Sequence, residues 1–156
     1  MFPDFVEFVA LLNDHKVRYL VIGGYAVGLH ARPRATKDLD VWVDRTEPNA
    51  RRVIASLREF FGSAVSGVTM TKLMNPRTVL VLGIPPVRID VLTQMDGPKT
   101  FRTAWSRRVT TRWAGIDANF LSAEDLILSK VASGRPQDLV DVAELQSALK
   151  RRKRAR

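Results

Sequence analysis

Cysteine is absent from the sequence, and histidine occurs only twice, as His15 and His30. Without cysteine the chain can form no disulfide bond, iron–sulfur cluster or thiolate zinc site. Two histidines are also too few to favour an imidazole-based zinc site. A metal ion would therefore bind mainly through oxygen atoms, which favours Mg²⁺ or Mn²⁺.

Long apolar runs are missing as well, since no stretch approaches the roughly 18 residues that indicate a membrane span. Residues 1–16 mix acidic with apolar side chains and lack the basic region and cleavage site of a signal peptide, which predicts an amphipathic helix. The 156 residues are 46% hydrophobic and 26% charged, as in a globular domain with a packed core. We expect one cytoplasmic domain without a membrane partner.

The positive charge is concentrated at one end of the chain. The net charge is +9, and six of the basic groups lie in the last seven residues, so removing them leaves +3. We therefore divide the chain into a domain of residues 1–149 and a basic C-terminal tail of residues 150–156. Such a tail binds polyanions such as RNA through their phosphates, or it is a solvated end that keeps the protein soluble.

Short apolar runs alternate with helical patterns, which predicts a mixed α/β (α+β) fold: a mixed β-sheet with flanking helices and a short C-terminal helical pair. Proline and glycine mark the helix boundaries, and the weak pattern of residues 63–77 indicates a loop or irregular structure. We predict strands at 19–22, 39–43, 78–82, 87–92, 109–113 and 116–120, and helices at about 3–13, 25–30, 48–61, 122–133 and from 136 onward.

Two carboxylates stand close together in the strand-like segment Asp38-Leu-Asp-Val-Trp-Val43. Side chains alternate along a strand, so Asp38 and Asp40 share one face while Leu39 and Val41 point to the core. Two such carboxylates repel each other unless a cation lies between them. The pair predicts a divalent metal site, although two carboxylates at a strand end in water would show the same pattern.

A third carboxylate, Asp90, interrupts the apolar segment Val87-Arg-Ile-Asp-Val-Leu92. If this strand lies beside Asp38 and Asp40, three oxygen donors converge, which suits two Mg²⁺ ions about 3.5–4 Å apart for phosphoryl transfer. The alternative is that Asp90 forms an ion pair with Arg88 or another basic residue, worth roughly 0–1 kcal/mol if exposed.

Gly23 and Gly24 follow the predicted strand at 19–22. Glycine lets backbone amides approach phosphate oxygens, and the start of the following helix favours an anion. The order G-G-x-x-x-G and the early Pro33 do not match the dinucleotide-binding G-x-G-x-x-G turn. A simple tight turn would explain the two glycines but not the carboxylates that follow.

These motifs together resemble the polymerase-β-type nucleotidyltransferase superfamily, which has a G-G or G-S turn, a D-x-D pair and a later strand aspartate. The motif is most similar to those of AbiEii-like and MenT-like bacterial toxins and of related uncharacterised bacterial nucleotidyltransferases. In this chain it reads Gly23-Gly24, followed by Arg34-x-Thr36-x-Asp38-Leu39-Asp40. A later lysine and R-x-x-D-x-x-D pattern also match, at Lys130, Arg135, Asp138 and Asp141.

The resemblance implies residue roles. Asp38 and Asp40 would ligate both metal ions, and Asp90 the ion that activates the attacking hydroxyl. The other implied nucleotide-binding residues are Gly23, Gly24, Arg34, Thr36, Lys130 and Asp138. Lys130 is alternatively an exposed helix lysine, and Asp138 and Asp141 either orient neighbouring cations or are solvated. His30, Trp105 and Trp113 are assigned to packing or surface.

The implied function is transfer of a nucleoside monophosphate from an NTP to an acceptor hydroxyl, with Mg²⁺ or Mn²⁺ as cofactor. The favoured acceptor is RNA, at the 3′ end of tRNA, and the implied partner of a toxin is a cognate antitoxin protein. Other acceptors are an antibiotic or a protein. A non-catalytic nucleotide- or RNA-binding module is the alternative outside enzymes.

Overall fold

The computed structural model describes residues 2–156. One six-stranded sheet, in the order β3-β4-β2-β1-β6-β5, organises the chain. The strands are β1 (Tyr19–Ile22), β2 (Asp38–Val43), β3 (Val79–Ile84), β4 (Val87–Leu92), β5 (Val109–Trp113) and β6 (Ile116–Phe120). The helices are α1 (Pro3–Asp14), α2 (Gly23–His30), α3 (Glu47–Phe61), α4 (Met70–Met74), α5 (Phe101–Ser106), α6 (Ala123–Ser133) and α7 (Pro136–Ala155).

The sheet mixes parallel and antiparallel pairs. β2 runs antiparallel to β1 but parallel to β4, and β1 runs parallel to β6. The hairpins β3–β4 and β5–β6 are antiparallel and form the two edges. The prediction of a mixed α/β fold is thus confirmed. The parallel pair β2–β4 lies in the interior of the sheet, and it determines where the site described below is placed.

Helices supply the apolar side chains that cover the sheet. α1 buries Phe5, Phe8, Val9 and Leu12, packs on α3, and contacts β4 and β6. A second group, α2, α6 and α7, is held together by mutual contacts. No helix within residues 2–156 combines the length and apolar character needed to cross a membrane.

Two segments differ from the expectation. The segment 63–77 contains the short helix α4, whose N-terminus is capped by the Thr69 hydroxyl accepting from the Lys72 amide; five residues carry too little periodicity to reveal it. The loop after β4 likewise leads into α5, which was not anticipated. The helix predicted from 136 onward is α7, which continues through the basic residues to Ala155.

Candidate active site

Three carboxylates lie on one face of the adjacent strands β2 and β4. Asp40 stands opposite Asp90 in the parallel register, and Asp38 stands opposite Arg88. Leu39, between the two β2 aspartates, is fully buried on the other face. The register brings together carboxylates that are 50 residues apart in sequence, because residues paired across strands point to the same side.

Asp40 is the most electrostatically strained member of the cluster. Burial, followed by the neighbouring charges of Asp90 and Asp38, raises the pKa of Asp40 from 3.8 to about 7, and only Arg88 opposes the shift. A carboxylate held beside others in a partly dehydrated position favours the approach of a cation.

The cation that the structure supplies is Arg88. Its Nε lies 3.0 Å from Asp90 Oδ1 and its Nη2 3.1 Å from Asp90 Oδ2, a two-point contact. The same Nε is 3.8 Å from Asp38 Oδ2. The sequence left two interpretations of Asp90: convergence with Asp38 and Asp40, or an ion pair with Arg88. The structure shows both arrangements together.

The donor set fits a hard divalent ion, because Mg²⁺ and Mn²⁺ prefer carboxylate oxygen. Asp38, Asp40 and Asp90 are the residues that would hold it. In the arrangement seen across residues 2–156, however, no three acidic or histidine side chains are spaced to hold an ion together. The donor chemistry thus fits a metal ion, while the present side-chain positions are those of carboxylates paired with arginine.

Gly23 and Gly24 border the carboxylates from the opposite side. They form the first turn of α2 rather than a turn preceding it. Gly23 has φ +68°, and a Cβ there would clash with Asp40 Oδ2. A Cβ on Gly24 would lie 2.7 Å from Thr36 Oγ1. Both positions therefore require glycine for space, and the start of an eight-residue helix lies against the carboxylates.

Arg34, Lys130, Asp138 and Asp141 form a network between the loop after α2 and the pair α6–α7. Asp141, fully buried, receives Arg34 Nη1 on Oδ1 at 2.6 Å and has Lys130 Nζ at 3.1 Å from Oδ2. Lys130 also lies 3.4 Å from Asp138. Lys130 is mostly buried rather than an exposed helix lysine, and Asp138 and Asp141 are not solvated. The contact of these side chains with phosphate stays a prediction.

Ion pairing determines the protonation of the two network aspartates. Burial alone would raise the pKa of Asp141, but hydrogen bonds from Arg34 and Lys130 outweigh it, so its pKa lies below the usual value. The hydrogen bond from Arg135 chiefly lowers the pKa of Asp138. Both groups are therefore carboxylates at neutral pH.

A cleft of about 440 Å³ opens beside the carboxylates, and sequence reasoning did not find it. Leu92 follows Asp90 on the same face of β4, and its partner Val79 is half-exposed on β3. Ser129 and Ser133 of α6 close the other side. Segments from three distant parts of the sequence line the cleft, so no local motif could indicate it.

His30, Trp105 and Trp113 lie away from the carboxylates, in packing roles. His30 is buried, with Nε2 2.7 Å from the Leu121 carbonyl oxygen, and burial lowers its pKa. Trp105 stacks on Phe101 and lies under the Arg108 guanidinium, 3.9 Å from the ring centroid. Trp113 packs edge-on against Tyr25 and Phe120.

Three solved structures resemble the fold. An antigenic nucleotidyltransferase-like protein from Paracoccidioides brasiliensis is 18% identical with a TM-score of 0.55, over 94% of this chain and 75% of that one. The lincosamide antibiotic adenylyltransferase LnuA, bound to lincomycin, is 16% identical with a TM-score of 0.56, over 95% and 98%. The antibiotic-resistance factor ANT(2'')-Ia is 15% identical with a TM-score of 0.55, over 97% and 92%.

At these identities the likeness concerns the fold alone. None of the curated proteins compared matches the sequence. The family described as "Nucleotidyltransferase of unknown function (DUF6036)" matches residues 4–150, which include the carboxylates, the glycine pair and the charge network. The chain belongs to this nucleotidyltransferase family.

Proposed function

We propose that the protein transfers a nucleoside monophosphate from an NTP to an acceptor hydroxyl and releases pyrophosphate. The observation that carries the proposal is the cluster of Asp38, Asp40 and Asp90 across β2 and β4, next to the glycine turn of α2. Membership of a nucleotidyltransferase family supports the same reaction.

In this reaction the acceptor oxygen forms a bond to the α-phosphorus while the bond from that phosphorus to the bridging oxygen breaks. A carboxylate of the cluster accepts the hydroxyl proton, and pyrophosphate carries away the electron pair of the broken bond. Asp90, with its side chain only 13% exposed, is the carboxylate that we assign to the attacking hydroxyl.

Divalent ions bound by the three aspartates would neutralise the triphosphate and lower the pKa of the attacking hydroxyl. The protein contributes the fixed strand positions of the carboxylates and the backbone amides of Gly23 and Gly24 at the start of α2, where anions are favoured. We assign Thr36 and Arg34 to the triphosphate, with Lys130 and Asp138 supporting them from α6 and α7.

For the acceptor we favour RNA, at the 3′ end of tRNA, with a toxin-like role and a cognate antitoxin as partner. The support is the likeness to AbiEii-like and MenT-like sequences and the exposed basic residues in the last turns of α7. Arginine and lysine in such a cluster neutralise phosphates whatever the RNA sequence.

A small-molecule acceptor is a second candidate, and the cleft beside Asp90 favours it. Its 440 Å³ lies within the range of small-ligand pockets. Two structures of similar fold are named for antibiotics. The apolar floor of Val79 and Leu92 with the hydroxyls of Ser129 and Ser133 suits a compact molecule with both apolar and polar parts.

The test is incubation of purified protein with each α-labelled NTP, Mg²⁺ or Mn²⁺, and either total RNA or a set of hydroxylated small molecules including lincosamides. We expect labelled RNA and free pyrophosphate from the unmodified protein. Asp40→Asn should lower the rate by at least about 10²-fold, because an oxygen ligand loses its charge. The matched control is Asp117→Asn, an exposed aspartate of β6, which should retain full activity.

If label is found only on small molecules, the RNA acceptor is wrong and the second candidate, a small-molecule acceptor, replaces it. NTP binding by calorimetry without turnover on any acceptor, unchanged by Asp40→Asn, would instead indicate a binding module and overturn the proposal.

A further inference from the structure

Arg88 occupies an unusual place, because its guanidinium lies among the carboxylates that a metal ion would need. It stands directly opposite Asp38 across the β2–β4 ladder and two residues before Asp90 on the same strand face. Its Nε and Nη2 contact both oxygens of Asp90, and the same Nε faces Asp38. One side chain thus engages two of the three carboxylates.

No other described cation competes for this place. Arg34 and Lys130, the basic residues of the implied nucleotide motif, are already paired with Asp141, and Lys130 also contacts Asp138. Arg135 pairs with Asp138 as well. Among the ion pairs of residues 2–156, those of Asp38 and Asp90 are both with Arg88.

A guanidinium and a divalent ion cannot both use the Asp90 oxygens that Arg88 now engages at two points. Only one of the two cations can therefore occupy both oxygens at a time.

We propose that Arg88 is the resident counter-cation of the carboxylate cluster in the metal-free protein, and that a divalent ion binds by displacing its guanidinium from Asp90 and Asp38. Arg88 is then a positioning residue, which holds the carboxylates in place before the ion arrives. The free energy by which the ion weakens the contacts of Arg88 equals the free energy by which Arg88 weakens ion binding. The inference rests on the proposed function, because it assumes that these aspartates hold the ion.

The experiment measures Mn²⁺ binding to the full chain without nucleotide, from the loss of the free Mn²⁺ electron paramagnetic resonance signal. Arg88→Gln removes the competing cation, so we expect roughly 3- to 10-fold tighter binding, as for the loss of a partly exposed ion pair. In EDTA the same variant should unfold at a lower temperature, and added Mn²⁺ should raise that temperature more than in the unmodified protein.

Arg112→Gln is the matched control, because it removes the same charge from another Arg–Asp pair, with Asp117 on the β5–β6 hairpin. We expect its Mn²⁺ affinity to stay within about twofold of the unmodified protein. Arg88→Lys keeps the charge but not the two-point contact, and it should show intermediate affinity. This variant serves as the test if Arg88→Gln does not fold.

Mn²⁺ binding that depends on Asp40 but is unchanged or weaker in Arg88→Gln and Arg88→Lys would overturn the counter-cation role and leave the proposed function standing. Mn²⁺ binding that is insensitive to Asp40→Asn in every variant would mean that the aspartates hold no ion, and both proposals would fail.

Discussion

Single side-chain atoms determine how closely the carboxylates and the glycine turn of α2 approach each other. Gly24 and Gly28 lie on the same helix, α2, yet their surroundings differ. A Cβ on Gly24 would lie 2.7 Å from Thr36 Oγ1 and 2.9 Å from Thr36 Cβ, whereas the nearest atom to a Cβ on Gly28 is 3.8 Å away. Only the first is a forbidden contact, so the two glycines have different reasons to be present.

We predict that Gly24→Ala displaces Thr36 and the loop that carries it. The expected cost in the free energy of unfolding is about 1–3 kcal/mol, as for overpacking elsewhere, together with weaker NTP binding. Gly28→Ala has room for its methyl group and should be neutral or stabilising by up to about 1 kcal/mol, because alanine favours helix. Urea denaturation and calorimetric titration with NTP compare the two variants, and equal behaviour would contradict the close approach at Gly24.

The ion pair between the buried carboxylate of Asp125 and the half-exposed Arg107 shows what a residue pattern does not reveal. Asp125 lies three positions after the N-cap Ser122, and the sequence suggests only that it complements the helix dipole. In the structure Asp125 is fully buried and accepts two hydrogen bonds from Arg107, one of them at 3.1 Å from Nε. The partner is 18 residues away in sequence, so helical spacing gave no indication of it.

At the scale of elements, the α6–α7 pair is joined to the loop after α2 by charge rather than by apolar packing alone. Asp141 sits on α7, Lys130 on α6 and Arg34 in the loop. Gln137 adds a further hydrogen bond to Asp141 at 3.2 Å. Because Arg34 is a proposed triphosphate ligand, the same network that stabilises the helices also orients the loop beside the site.

We predict that Asp141→Asn lowers the free energy of unfolding by about 3 kcal/mol at neutral pH, the low end for a broken buried pair, since Arg34 is partly exposed and Lys130 keeps its contact with Asp138. The pKa of Asp141 is lowered in the folded protein from 3.8, so its stabilisation is complete above that unfolded-state value and is lost as pH falls through the folded one. The difference between variant and unmodified protein should therefore shrink at about pH 3.

Asp117→Asn is the control, because its partner Arg112 is 70% exposed; its expected cost is about 0–1 kcal/mol. Urea denaturation at the two pH values measures both. A cost for Asp141→Asn no larger than for Asp117→Asn would show that the network contributes little to stability.

At the scale of the whole molecule, the excess positive charge is attached to the fold through α7. Arg152 donates a hydrogen bond from Nη2 to the His30 carbonyl oxygen at 2.9 Å, which connects the last turns of α7 to the end of α2. Lys153 and Arg154 are exposed beside it. The basic cluster is therefore part of α7, whose last turns contact the end of α2.

We predict that Lys153→Gln/Arg154→Gln weakens RNA binding and reduces the slope of log K against log salt by about 1–2, one unit for each lost phosphate contact. Arg52→Gln/Arg58→Gln removes the same charge from exposed positions of α3 and serves as the control. Filter binding of tRNA at several salt concentrations measures the slopes. Equal slopes in the two variants would mean that net charge, rather than the end of α7, determines the binding.

The strands and most of the helices could be predicted from the sequence, together with the candidate carboxylates. Alternation along Asp38–Val43 and Val87–Leu92 showed which aspartates share a face, because the period of a strand is a local property. Proline and glycine marked the helix ends for the same reason. The family resemblance followed from motifs that are each short and contiguous.

The side chains that those residues contact depend on the tertiary structure. The parallel register placed Asp90 beside Asp40 but also placed Arg88 opposite Asp38, and the packing of α6, α7 and the loop after α2 brought Lys130 and Arg34 to Asp141. Charge pairing depends on distance through space, and strand order and helix packing set that distance. Arg34 and Asp141 are 107 residues apart, a separation at which a sequence carries no local signal.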